Sequence, residues 1–195
     1  MAKILDQPRY KCALAAMQTV QAIPGAIPIL HSGPGCAAKL NDNNGTSGRY
    51  SPNIFPCTSI SEKEVVFGGS NKLRSTIENA LKVIDADLFV VLSGCTGEII
   101  GDDIEEVASN FADAEKPVIW AKTPGFKGNN YVGHDWILKS IFEQYLADAA
   151  SEKEKGLVNL FVAPPQQDPY WLGNLREIEN LLTAIGLKPN TIFGF

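Results

Sequence analysis

Apolar residues follow two alternating patterns along the chain. Leu88, Phe89, Val90, Val91 and Leu92 form an unbroken apolar run between Asp87 and Ser93-Gly94, the mark of a strand buried on both faces, as in parallel sheets. Shorter runs at 26–31, 53–58, 117–121, 157–163 and 191–193 predict further strands, and Pro28 puts the first of them at an edge or makes it irregular. Between these runs the apolar residues recur at helical intervals. Helices are predicted over 12–23, over 72–83 with Leu73, Ile77, Leu81 and Ile84 on one stripe, over 104–112, over 133–148 with Trp136, Ile137, Ile141, Tyr145 and Leu146 inward, and over 172–185. Ser61 and Glu64 have capping-box spacing for a short helix ending at Gly68-Gly69, and Ser70 is in place to cap the helix after it.

Strands alternating with helices predict an α/β protein: a parallel-sheet, Rossmann-like domain with helices on both faces. The charged stretch Ser151-Glu152-Lys153-Glu154-Lys155-Gly156 is the best boundary. Residues 1–150 are expected to form the first domain. Residues 156–195 hold one strand–helix–strand unit, too small for a core of its own, and are expected to be the start of a second, truncated α/β domain.

Composition narrows the function classes. A net charge of −5 over 195 residues offers no basic field, so neither nucleic acid nor an anionic membrane surface is an expected partner. No apolar run approaches the ~20 residues that cross a bilayer, and the first residues lack signal-peptide character, so a cytoplasmic location is expected. The four cysteines lie about twenty to forty residues apart, without local metal-binding spacing.

Position says more than spacing. Cys12 stands at a helix start, Cys36 after the first strand in Ser32-Gly33-Pro34-Gly35-Cys36, and Cys95 after the central strand. In open parallel sheets that edge carries the chemistry. Thiolates converging there would suit an iron–sulfur cluster. Cys57, inside an apolar stretch, is expected to be core filler standing apart. His31 reads as a hydrogen-bonded core or turn residue or as a ligand, Asp102-Asp103 as a helix start or a metal site, and Phe67 as core or as a surface anchor for a partner.

In order along the chain, Cys12, then His31-Ser32-Gly33-Pro34-Gly35-Cys36, Glu64-Val65-Val66-Phe67-Gly68-Gly69, Cys95-Thr96-Gly97-Glu98-Ile99-Ile100-Gly101-Asp102-Asp103 and Thr123-Pro124-Gly125-Phe126 resemble the component 1 proteins of nitrogenase, their cofactor-assembly scaffolds and the nitrogenase-like reductases. The resemblance implies that Cys12, Cys36 and Cys95 match the three cysteines with which each subunit holds half of an interfacial cluster, an eight-iron P-cluster or, in some relatives, a four-iron one. It implies a homologous component 1 subunit and an ATP-dependent iron–sulfur reductase as partners, the reductase docking at Phe67. Gly125 stands where a catalytic β chain can carry a serine that binds the oxidised P-cluster. The expected function is that of an oxidoreductase subunit fragment relaying electrons through the cluster, the alternative a non-catalytic scaffold for metallocofactor assembly. Alone, the fragment is expected to be inactive and without its cluster. Subunit type stays open, because the ligands of the substrate-reducing cofactor lie beyond residue 195.

Overall fold

A computed structural model of the protein describes residues 11–42, 55–147, 154–162, 168 and 170–193. A 3-10 turn (Ala13–Ala16) leads into α1 (Met17–Gln21), followed by β1 (Ala26–His31), α2 (Pro34–Asp42), α3 (Glu62–Phe67), α4 (Ser70–Val83), β2 (Leu88–Ser93), α5 (Cys95–Ile100), α6 (Ile104–Ser109), β3 (Val118–Lys122), α7 (Asn130–Ser140), β4 (Leu157–Leu160), α8 (Trp171–Ala184) and β5 (Lys188–Ile192). The fold is α/β. β1, β2 and β3 form a parallel sheet with β2 at its centre, His31 opposite Ser93 and Ser93 opposite Lys122.

Every residue of β2 is buried, because helices cover both faces. Val90 and Leu92 pack with Met17, Val20, Ile137 and Ile141 on one side, while Phe89 and Val91 pack with Leu73, Ile77, Ile104 and Val107 on the other. Each such fully buried side chain contributes about 1.5–3 kcal/mol relative to its exposed state. β4 and β5 form a separate parallel pair bridged by α8, and among the described residues there only Leu175 and Phe193 are buried hydrophobics.

Several expectations change. The strand expected over 53–58 shrinks, among its described residues, to an isolated bridge between Cys57 and Leu30, because Pro56 has no N–H to donate. No helix is predicted after β1, yet α2 begins at Pro34 and carries Cys36 in its first turn. Ser70 is the first residue of α4 and does not cap it; the cap position is Gly69, whose N–H is taken by Asp102 from a distant part of the chain. Leu81 and Ile84 only flank the core that Leu73, Ile77 and Ala80 enter. The helix expected from Gly133 begins at Asn130, and after Ser140 continues as a π-helical turn (Ile141–Tyr145) that leaves Tyr145 and Leu146 exposed.

The predicted capping box forms. Glu64 accepts the Ser61 N–H at 2.9 Å and the Ser61 hydroxyl at 2.6 Å, and Lys72 lies 3.1 Å away. Those Ser61 bonds, then Lys72, hold the Glu64 carboxyl down at about 2, from an ordinary 4.5. The folded value lies below the unfolded one, so the box should be fully formed above about pH 4.5 and lost as pH falls through about 2. A carboxyl carbon NMR titration checks this, and a midpoint near the ordinary value would mean that Glu64 is free in solution.

Candidate functional site

The carboxyl ends of the three strands form one rim, and each hands the chain to a segment predicted to carry chemistry: β1 to Ser32–Cys36, β2 to Gly94-Cys95, β3 to Thr123–Gly125. Polar contacts tie these segments together. Thr123 donates its N–H to the Ser93 hydroxyl at 3.2 Å and its own hydroxyl to the Ser93 carbonyl at 2.9 Å, and the Gly94 N–H reaches the His31 carbonyl at 2.9 Å. The Ser93 hydroxyl in turn donates to Glu98 at 2.6 Å. Cys12 arrives from the other direction, bridged to Asn129 in the loop between β3 and α7.

Gly125 is the point on which Cys12 and Cys95 close. Its N–H donates to the Cys95 sulfur at 3.2 Å, and a Cβ built on it would lie 2.8 Å from the Cys12 Cβ, 3.3 Å from the Cys95 Sγ and 3.4 Å from the Cys12 Sγ. No side chain fits there unless the cysteines move. A pocket of about 400 Å³ opens beside them, lined by Lys11, Cys12, Gly125, Phe126, Lys127 and Gly128. Cys36 is exposed at the same rim: partial burial of its sulfur, then electrostatic repulsion from Cys12, Cys95 and Cys57 nearby, pushes its thiol up.

Cys57 does not stand apart. Its sulfur lies 3.5 Å from the Ser32 carbonyl and accepts the Ser59 N–H at 3.3 Å, because the segment that carries it runs beside β1 and ends at the same rim. Among the described residues, no three His, Cys, Asp or Glu side chains close around a point as ligands to a single metal ion.

His31 is held by Asp102. It is fully buried, its Nε2 lies 2.8 Å from Asp102 Oδ2, and its Nδ1 has no partner. Burial lowers its pKa and outweighs the opposing effects of Asp102 and Glu98. The ring is therefore neutral, with Nε2–H donating. Asp102-Asp103 splits into two roles: Asp103 caps α6 by accepting from Glu105 N–H and Glu106 N–H, while Asp102 points inward to His31 and Gly69. Phe67 is not core. It is 82% exposed at the end of α3, and α5 lies alongside with Ile99 exposed at 73%.

A family model described as nitrogenase component 1 type oxidoreductase matches residues 12–195. The chain belongs to that family. It is 30% identical over 175 residues to the nitrogenase molybdenum-iron protein beta chain of Bradyrhizobium diazoefficiens, covering 83% of this chain and 33% of the relative. The beta chain of Rippkaea orientalis is 30% identical over 186 residues, covering 93% of this chain and 35% of that one. Among solved structures, nitrogenase Cp1 at pH 6.5 superposes with a TM-score of 0.74 at 23% identity, over all of this chain and 42% of the other, a likeness of fold. This component 1 chain thus spans about a third of the length of the curated relatives it matches.

Gly125 and Asp102 are both named from the sequence, but the roles they take at the rim of this component 1 chain are not. The Gly125 N–H directed at Cys95 left no signal, since a backbone donor has no letter in the sequence. Asp102 did leave one: Gly101, at φ +81°, ends α5 as a left-handed cap, and of two successive carboxylates after it only one can cap α6.

Proposed function

We propose that this chain is the cluster-holding portion of a component 1 oxidoreductase subunit, with Cys12, Cys36 and Cys95 as thiolate ligands to an iron–sulfur cluster shared with a homologous subunit. The observation that carries it is the closure of Cys12 and Cys95 on Gly125 at the rim of a parallel sheet, with Cys36 in the first turn of the helix that leaves the same rim. When bound, the cluster supplies one-electron storage and transfer. The chain's own residues hold it and tune it: the Gly125 N–H directed at Cys95 disperses negative charge on that sulfur, which favours the reduced state. Three thiolates are one short of a four-iron set, so a second component 1 subunit completes the ligation. The exposed face of Val66, Phe67 and Ile99 receives an ATP-dependent iron–sulfur reductase, which delivers the electrons.

The test is iron and acid-labile sulfide analysis of the intact protein, co-produced anaerobically with its companion subunit. Both should be present, and Cys95→Ala should remove most of the iron from this site while the subunits stay associated. Iron content unchanged by Cys95→Ala and by Cys36→Ala would overturn the assignment. The metallocofactor carried elsewhere in the same preparation separates turnover of a substrate from cofactor assembly.

A further inference from the structure

The cysteine chemistry leaves the His31–Asp102 pair unused, yet its placement is unusual. The imidazole sits between two glycines from different elements. A Cβ on Gly69 would lie 3.0 Å from His31 Cε1 and 2.6 Å from Asp102 Oδ2, and one on Gly97 would lie 2.7 Å from His31 Cδ2. Gly69 comes two residues after Phe67, and Gly97 two residues after Cys95. Asp102 ties the same parts together by hydrogen bonds: its carboxylate accepts the Gly69 N–H at 2.8 Å and the His31 Nε2–H at 2.8 Å, and its own N–H donates to the Gly97 carbonyl at 3.0 Å.

A buried pair of this kind adds little net stability compared with apolar residues of the same volume; what it adds is directional contact. Here every contact runs between the turn behind Phe67 and the helix that begins at Cys95. With a side chain at neither glycine, the ring touches both backbones directly, so no flexible group can absorb a displacement of one before it reaches the other.

We propose that His31, held by Asp102, is a positioning residue that transmits occupation of the Val66 and Phe67 surface at the end of α3 to the start of α5 and so to Cys95. The proposal rests on the docking reading above. A reductase pressed on that face fixes Gly69, Gly69 fixes Asp102 and the His31 ring, and the ring fixes Gly97.

Hydrogen exchange on the intact, cluster-loaded protein with its companion subunit, with and without the reductase, tests this. Residues 94–97 form the readout, since they are buried or half-buried and lie outside the exposed face. In the wild type, the reductase should slow exchange at 65–69 and at least threefold at 94–97. His31→Leu should keep the first effect and lose the second, and His31→Gln, whose amide can still donate to Asp102, should restore it. Should His31→Leu fail to fold, Asp102→Asn, of the same shape without the charge, should weaken the second effect alone. Equal protection of 94–97 in wild type and variant would overturn the link while leaving docking intact. No protection at 65–69 in the wild type would overturn the docking reading, and the link with it.

Discussion

Gly133→Ala is expected to destabilise the protein by about 2–3 kcal/mol and to pull Cys12 from the rim. In an exposed helix the same change would stabilise by up to ~1 kcal/mol through propensity. α7, however, lies backbone against backbone on the turn that follows Cys12. A Cβ at Gly133 would collide with the Ala13 carbonyl oxygen and come within 2.7 Å of the Ala16 Cβ. A carbonyl in a 3-10 turn cannot rotate aside as a side-chain tip can, so the elements must separate, and overpacking of that kind costs about 1–3 kcal/mol or more. The bonds that fail with it are the ones that hold Cys12: Ala13 N–H to the Gly128 carbonyl at 3.0 Å, and Asn130 N–H to the Lys11 carbonyl at 2.9 Å. Chemical denaturation measures the first effect, and the alkylation rate of Cys12 in the cluster-free protein the second. A variant as stable as the wild type, with Cys12 unchanged, would mean that α7 does not pack this closely.

Where the sequence was legible, burial explains why. β2 is covered on both faces, so its run from Leu88 to Leu92 is continuous, and α4, which covers one of them, buries a single stripe of Leu73, Ile77 and Ala80. That the segments carrying Cys36 and Cys95 leave one rim follows from the same parallel order, since β1 and β2 end side by side. What escaped was set by contacts remote in sequence. α5 is missing from the predicted helices because Gly97 is a poor helix former, and a side chain there would meet His31. Ser70 read as a cap until a carboxylate from residue 102 took that place for Gly69. Cys57 does pack against the core as its apolar stretch implied, but that it also ends at the rim beside Ser32 depends on the bridge to Leu30, which leaves no mark in the sequence.

Phe67→Ala is expected to weaken reductase association by about 2 kcal/mol, roughly thirtyfold in Kd, and to leave stability within about 0.5 kcal/mol. The two numbers follow from one observation. A ring 82% exposed has little burial to lose, so the cost of about 3–5 kcal/mol for truncating a core phenylalanine does not apply. Its exposure is instead a feature of the whole end of α3: Val65 and Val66 are exposed as well, none of that helix is buried, and the capping box through Glu64 and Lys72 holds the helix in place without a core. An apolar side chain maintained on a helix stabilised by polar bonds gains only when something covers it. Titration of the cluster-loaded protein with the reductase gives the Kd, and thermal unfolding gives the stability. A lowered Tm with an unchanged Kd would assign Phe67 to the packing of its own chain and end the docking reading, whereas an unchanged Tm with a weakened Kd would make the ring the anchor of the interface, two residues from the glycine that touches His31.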